Sequence, residues 1–440
     1  MTGMSEKNNS IAAWALVALV LFSNLFFAGF IFGWASLLIL LQQENQYNEL
    51  CDQVNSDTGR CAAQDSHLSI IYGFAQFALT FSSLPTGIIL DKLGPKKMSG
   101  IIGIVITIAF VLLALSDSKS FDAFVYGYCL IGISGGATLL TSLRSGFVIM
   151  EWQTAIFAGI NCLFDASAVM TSLLYEIHNA TGISRKGLLL GYAAIAVLTY
   201  IALVVLWGIV ERQEKKSNDV ENSEENNVAA VNDTESPLYE SLDNPSLHEA
   251  TLKTQYLSFE FRYLLLFTAL HNLQSSFYFG TVNQTMINYN DTTQVYTKVF
   301  GWILPAGFIF IPVINTLVDR FGLPYSMFAT TLLSIVYHGV AMIPSLQLQV
   351  LTFVLFTAFR AIFYANASTC GATTFGHANM GTIIGTVYTG AAVVALLEIP
   401  AAKYANTSKT GWNLMYGISL VLAVCMLPVI EIYRRRFYKI

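Results

Sequence analysis

Gly87-Ile-Ile-Leu-Asp91-Lys92-Leu-Gly94-Pro95-Lys96-Lys97 and Asn315-Thr-Leu-Val-Asp319-Arg320-Phe-Gly322 are two readings of one short pattern, placed about half a chain apart. In each, a small or short residue, a carboxylate four positions on, a basic neighbour and a glycine follow a long apolar run. The small residue lets two helices approach closely, the carboxylate can face a helix N-terminus or an arginine, and the glycine permits a tight turn. A device that recurs at the same place in two halves is what a rocking molecule built from structural repeats needs.

The flanking sequence supports this reading. Of 440 residues, 54% are hydrophobic and only 12% charged, with mean hydropathy +0.56. Soluble proteins carry about a quarter of their residues as charges, so a soluble multidomain enzyme is excluded. About 20 apolar residues cross a bilayer, and the apolar runs predict spans at 11–41, 67–90, 98–116, 121–149, 154–177 and 187–210. After a polar stretch they predict six more, at 261–283, 298–316, 325–343, 347–370, 380–402 and 413–433. The fold class is thus all-α and membrane-embedded, with twelve transmembrane helices in two six-helix halves. The organisation reads as an N-terminal tail (1–10), a first half (11–210), a linker (211–260), a second half (261–433) and a C-terminal tail (434–440). The first apolar run ends without a small-residue cleavage site and reads as a retained helix.

Counting Lys and Arg in the loops puts both termini in the cytoplasm: 14 lie on the side of Lys92 and Arg320, and seven on the other. The sequons at Asn179, Asn283, Asn290 and Asn406 then fall outside and are candidate glycosylation sites. Cys51 and Cys61 share the first outside loop, an oxidising location, and are expected to form a disulfide; Cys129, Cys162, Cys370 and Cys425 sit in apolar helices and read as packing residues. The linker is rich in Glu, Asn and Ser and is expected to be disordered, becoming amphipathic from Thr251 to Phe261. Tyr239-Glu-Ser-Leu242 fits a sorting pattern or an inert tether.

Beyond the repeated pattern, the sequence resembles the major facilitator superfamily, and within it the branch of sodium-independent large-neutral-amino-acid facilitators and equilibrative nucleobase transporters. The residues that carry the narrower resemblance are Phe27-Ala-Gly-Phe-Ile-Phe-Gly33-Trp34 in span one, Cys61-Ala-Ala-Gln64-Asp65 before span two and Leu84-Pro85-Thr-Gly87 at its end. Asn161-x-x-Phe164-Asp165-Ala-Ser167, Phe279-Gly280-Thr281, Arg360-x-x-Phe363-Tyr364 and Gly381-x-x-x-Gly385 continue it. The resemblance covers nearly the whole chain outside the linker. It implies alternating-access facilitation of a small organic solute, with spans one, four, seven and ten, supported by two, five, eight and eleven, around a central cavity. Amino acids are the first expectation and nucleobases the second. Glu398 departs from the pattern, where the relatives are expected to carry Gln, and so does Arg144, where an uncharged residue is expected.

Residue chemistry leads to the same helices. Arg144, Asp165, Arg360 and Glu398 are the ionisable residues expected inside spans four, five, ten and eleven, and each costs on the order of 2.5–3.5 kcal/mol to place at a helix centre. They are expected to face the bundle interior, in solute contact or as neutralised pairs, Arg144 with Asp165 and Arg360 with Glu398. The candidate binding set is Arg360, Asp165, Asn161, Tyr364, Asn24, Tyr278, Asn272 and Arg144, with Trp34, Gln274, Trp302 and Asn366 as further polar or aromatic neighbours. Glu398 and Asp165 are candidates for proton coupling, which would make a symporter of an otherwise passive carrier. Gly87, Asp91, Lys92, Gly94, Asp319, Arg320 and Gly322 form the gating set. Pro305, Pro312 and Pro400 are expected to bend their helices.

Other chemistries find no support. There is no P-loop, no His-Glu-x-x-His and no paired Cys-x-x-Cys, so neither a cofactor nor a metal is expected and the chain is not read as an enzyme. A net charge of −5 excludes a nucleic-acid partner. The expected partners are a small organic solute and the bilayer, with a monomeric protein in the plasma membrane or, if the Tyr239 pattern is used, a vacuolar or lysosomal one. A transport-dead receptor or scaffold on the same fold is the alternative of a different class.

Overall fold

A computed structural model of the chain describes residues 2–51, 62–225, 245–248, 250–291, 295–405 and 411–437, with a few side chains within these segments left out of account. It is helical almost throughout. The first half consists of α1 (Thr2–Ser23), α2 (Trp34–Gln43), α3 (Ala62–Phe81), α4 (Ser83–Leu115), α5 (Phe124–Leu143), α6 (Gln153–Ala166), α7 (Ala168–Thr181) and α8 (Arg185–Glu225). Short α9 (Pro245–His248) and α10 (Leu252–Leu257) lead to the second half. There follow α11 (Phe259–Asn288), α12 (Val295–Ile303), α13 (Ile311–Phe321), α14 (Leu323–Ala341), α15 (Leu346–Phe375), α16 (Met380–Ala395), α17 (Glu398–Ala405) and α18 (Gly411–Phe437).

Every stretch expected to span is helical over most of its length. Among the described residues, nine helical stretches are long and apolar enough to cross a membrane. Helices α11 and α14 fall short of that measure because they carry polar residues such as His271, Gln274, Thr330, Ser334 and His338, all buried against other helices. Those groups find partners inside the bundle: the Ser334 hydroxyl donates to Gln274 Oε1 at 2.8 Å, and Gln274 Nε2 donates to the Ser419 carbonyl at 2.8 Å. A polar group so satisfied is tolerated away from water.

Several spans are broken where the sequence demands it. In span one an Asn24–Ala28 π-segment and a Phe30–Gly33 3-10 turn separate α1 from α2. In span eight, Pro305 and Pro312 bracket a 3-10 stretch, Leu304–Phe310, between α12 and α13. In span eleven Pro400 has no N–H for the Leu396 carbonyl, which accepts instead from Ile399 at 3.2 Å, and the helix restarts at Glu398. Such breaks re-aim side chains towards the bundle interior.

One expectation changes. Residues 211–225 were expected in an unstructured linker, but α8 continues through them to Glu225. The run Glu-Arg-Gln-Glu-Lys-Lys is made of good helix formers, with Glu211 four positions before Lys215, so the helix propagates past its apolar part. Residues 226–244, with Tyr239, lie outside the described residues. The amphipathic segment forms α10, which ends where Ser258 caps α11 by accepting from Phe261 N at 3.1 Å.

The loop after span one is tied down. Tyr47 donates to Asp122 Oδ1 at 2.6 Å, Gln64 Nε2 donates to the Gln46 carbonyl at 2.7 Å, and Gln46 Oε1 accepts from Ser118 N at 2.8 Å. Arg185 joins Glu44 at 2.6 Å and caps the Ser116 carbonyl at 2.8 Å. The Lys119 N–H and Ser120 hydroxyl hold the half-buried Asp117 carboxyl below its ordinary range. Cys61 lies outside the described residues; the free cysteines among the described residues are Cys129, Cys162, Cys370 and Cys425. Asn179 and Asn290 are exposed, whereas Asn283 is half-buried in α11 and accepts from the Thr297 hydroxyl at 3.0 Å. Asn406 lies outside the described residues.

Candidate functional site

The two halves meet at one end and part towards the other. At the meeting end the first repeated motif makes the contact. Gly94, at φ 76°, turns the chain within α4, and Gly322, at φ 86°, does the same between α13 and α14; only glycine enters that region without strain. Asp91 faces the N-terminus of α16, where Oδ1 accepts from Gly381 N at 2.9 Å and Oδ2 from Thr382 N at 2.6 Å. A carboxylate on unsatisfied helix N–H groups at the positive end of the dipole is favourable on both counts.

Arg144 completes this seal. It pairs with Asp91, and its other terminal nitrogen donates to the His377 carbonyl. The expected Arg144–Asp165 pair is therefore corrected: Arg144 opens the 3-10 turn directly after α5, at the seal, and is not among the residues that line the cavity. Helices α4 and α16 touch backbone to backbone there. A Cβ on Gly87 would lie 2.0 Å from the Gly381 carbonyl oxygen, and one on Gly385 would lie 2.5 Å from that of Ser83. The second motif is looser: Asp319 and Arg320 are exposed, with Thr154 at the start of α6 beside Asp319. The repeated sequence thus closes tightly on one side of the interface only.

Above the seal lies a cavity of about 470 Å³ between the halves. Its polar lining includes Gln76, Asn161, Asn272, Arg360, Tyr364 and Glu398, among the aromatic rings of Phe32, Tyr72, Phe164, Phe279 and Tyr388. Its floor is made of hydrogen bonds across the halves. Asn161 Nδ2 donates to Ser368 Oγ at 3.2 Å, whose hydroxyl is 3.3 Å from that of Tyr388, and Thr389 Oγ1 accepts from Leu84 N at 3.2 Å.

Arg360 lies halfway along α15, at mid-bundle depth, and is 7% exposed. Its Nε and one terminal nitrogen donate to the two oxygens of Asp165 at 2.8 and 2.6 Å, a fork that satisfies both charges. The guanidinium also lies over the rings of Phe32, Phe279 and Tyr364 at 5.9, 5.5 and 5.2 Å. Its remaining nitrogen, Nη1, has only a long contact of 3.4 Å to Ser275 Oγ. The expected Arg360–Glu398 pair is corrected too: Asp165 takes Arg360, and the Glu398 Oε2 atom is buried in the cavity wall without a hydrogen-bond partner.

The remaining sequence candidates divide. Asn161, Asn272, Tyr364 and Arg360 line the cavity, Tyr364 donating to Asn272 Oδ1 at 3.2 Å, and Asp165 stands behind Arg360. Asn24 does not line it; it is wholly buried and donates to Val20 O and Ser142 Oγ, stabilising the break in span one. Tyr278 is likewise buried elsewhere, in an aromatic cluster with Phe300, Tyr337, Phe356 and Tyr416. Trp302 is 73% exposed on the outer surface, and Asn366 bonds Ser326 and Thr330 within the second half. Tyr72 and Gln76, one turn apart on α3, were missed; the i, i+4 spacing of two polar side chains in an apolar span was the available signal.

No protein-family model matches the chain. Its fold superposes on the major facilitator proton:xylose symporter XylE with a TM-score of 0.65 over 96% of each chain, at 12% identity. The chain has the major facilitator fold. The human organic anion transporter MFSD10 is a second structural neighbour, with a TM-score of 0.61, 16% identity and coverage of 93% of this chain and 99% of that one. By sequence the chain is similar to equilibrative nucleobase transporter 1 of Bos taurus, 23% identical over 85% of this chain and 86% of the relative. It is also similar to protein FMP42 of Saccharomyces cerevisiae, at 24% over 84% of each. The human large neutral amino acids transporter small subunit 3 is 22% identical over 88% of this chain and 87% of that protein. The first and third of these relatives are named for the two solute classes expected from the sequence.

Proposed function

We propose that the protein is a secondary transporter that moves a small organic solute, an amino acid in the first instance, across a membrane by alternating access. The observation that carries this is the mid-bundle cavity with the forked Arg360–Asp165 pair in its wall, standing above the Asp91 seal. An α-carboxylate can take the open Nη1 of Arg360. A solute bridging the halves replaces bonds such as Asn161–Ser368 and favours closure over itself, which requires the Asp91 contacts to release on the other side.

In this reading the chain has twelve spans with both termini cytoplasmic, so the sealed end faces the cytoplasm and the cavity opens outward. The Cys51–Cys61 disulfide and glycans on the outside sequons, with Asn179 and Asn290 the most accessible, belong to the same arrangement. The protein acts as a monomeric uniporter in the plasma membrane, and not as an enzyme. A second reading, a nucleobase carrier, is favoured by one feature, the ring faces of Phe32, Phe164, Phe279 and Tyr364 that could stack a flat solute.

Uptake by purified protein in liposomes, with a panel of amino acids and nucleobases, tests both. Saturable amino acid uptake that Arg360→Lys reduces at least tenfold supports the first reading. Saturable nucleobase uptake alone replaces it with the second, and leakage no faster than in protein-free liposomes for every solute contradicts transport.

A further inference from the structure

Charge in the cavity does not balance. Arg360 and Asp165 cancel in their fork. Glu398 adds a second carboxylate, and the lining contains no other Lys, Arg or His. The basic residue on its own helix, Lys403, is exposed on α17 and makes no ion pair among the described residues. With Glu398 ionised, the cavity lining carries one negative charge in excess.

Hydrogen bonding repeats the message. Two acceptor atoms in the cavity wall are buried without a donor, Glu398 Oε2 on α17 and Gln76 Oε1 on α3. These helices belong to opposite halves, and both residues line the cavity. A buried acceptor without a partner costs about 1–3 kcal/mol, more when charged, so the site is arranged for something that brings several N–H donors and a positive charge. Helix geometry makes the placement deliberate: the break that Pro400 imposes puts Glu398 at the first position of α17, whereas a continuous span would carry it round with the helix. The free edge of Arg360 in the same cavity offers Nη1 to an anionic group.

Resting on the transport reading above, we propose that the preferred solute is a cationic amino acid, its side-chain ammonium or guanidinium received by Glu398 and Gln76 and its carboxylate by Arg360. A neutral amino acid would leave Glu398 and Gln76 unmet and lose that increment. A guanidinium suits two acceptors on two helices better than a point charge does, because its planar fork offers donors in two directions.

The test uses the full chain, purified and reconstituted in liposomes, with arginine, lysine, citrulline, leucine and adenine as solutes. Citrulline is close to arginine in shape and lacks its charge. The expected result is arginine and lysine uptake at least tenfold above citrulline, accelerated by an inside-negative potassium diffusion potential because net charge moves. Glu398→Gln should lower the ratio of arginine to citrulline uptake at least tenfold. Glu398→Asp, which keeps the charge, should keep the preference, so a misfolded Gln variant would not be mistaken for support. Citrulline, leucine or adenine uptake above that of arginine in the wild type overturns the proposal while leaving transport intact. So does uptake of a neutral solute that is driven by external acid and lost in Glu398→Gln, since Glu398 would then carry a proton. If no solute moves at all, thermal stabilisation decides: a rise in Tm with arginine, absent with citrulline and in Glu398→Gln, supports the cation site, and equal curves refute it.

Discussion

Replacing Asp91 by Asn tests the seal directly. In the structure Asp91 accepts from Gly381 N and Thr382 N and pairs with Arg144, whose side chain is only 13% exposed. Asn keeps one acceptor oxygen, so it loses one of the two backbone bonds and the charge on the other. A hydrogen bond to a charged group is worth about 1.5–3 kcal/mol. The largely buried Arg144 is left with the His377 carbonyl alone, so a net loss of about 3 kcal/mol for the sealed state is a conservative sum. At about 1.4 kcal/mol per tenfold, that moves the balance of sealed and open forms by about a hundredfold, enough to invert a population gap of a few kcal/mol. Spin labels on exposed Lys97 and Ala378 flank the seal, and pulsed distance measurement in lipid reads its width. A single short distance in wild type, giving way to a dominant longer one in Asp91→Asn, is the expected result. Unchanged distances in a monodisperse Asn variant would refute the claim that these bonds hold the seal.

Three more substitutions or assays bear on other parts. Gly87→Val places side-chain atoms where a Cβ alone would lie 2.0 Å from the Gly381 oxygen, so the same label pair should widen as in Asp91→Asn; an unchanged distance would show that α4 and α16 need not touch. Arg360→Lys keeps the charge but cannot make the fork to Asp165, and uptake should fall at least tenfold with expression and monodispersity preserved. Equal uptake would show the fork to be dispensable. Mass spectrometry of non-reduced peptides should recover Cys51 linked to Cys61, and thiol labelling of both would contradict the link.

What could be read from the sequence depended on whether the signal was local. The turn, the carboxylate and the small residue of the repeated motif lie within eight positions, so their use at a helix contact was legible along the chain itself. The cost of charge in hydrocarbon singled out Arg360, Asp165 and Glu398 in the same way. Partner choice was not legible. Arg360 and Asp165 are 195 positions apart, and nothing along the chain says that α6 brings Asp165 to Arg360 while the Pro400 break leaves Glu398 unmet. Tyr278 and Asn24 were assigned to the cavity because a buried polar or aromatic residue in an apolar span has the same pattern whether it faces a cavity or a packed neighbour. Tyr72, Gln76 and Tyr388 were overlooked for the converse reason, since uncharged side chains carry no insertion penalty large enough to mark them. The helical extension through residue 225 was hidden by composition: Glu and Lys signal disorder in bulk but favour helix when one is already nucleated.

Counterflow tests the central claim most directly. Liposomes holding purified protein are loaded with unlabelled arginine, and labelled arginine is added outside at trace concentration. An alternating-access carrier exchanges solute faster than it returns empty, so label should accumulate transiently above its external concentration and then decay, and Arg360→Lys should flatten the peak. Label that rises monotonically to equilibrium at the same rate with or without internal solute would mark a pore, and label that never rises above protein-free liposomes for any loaded amino acid or nucleobase would contradict transport altogether.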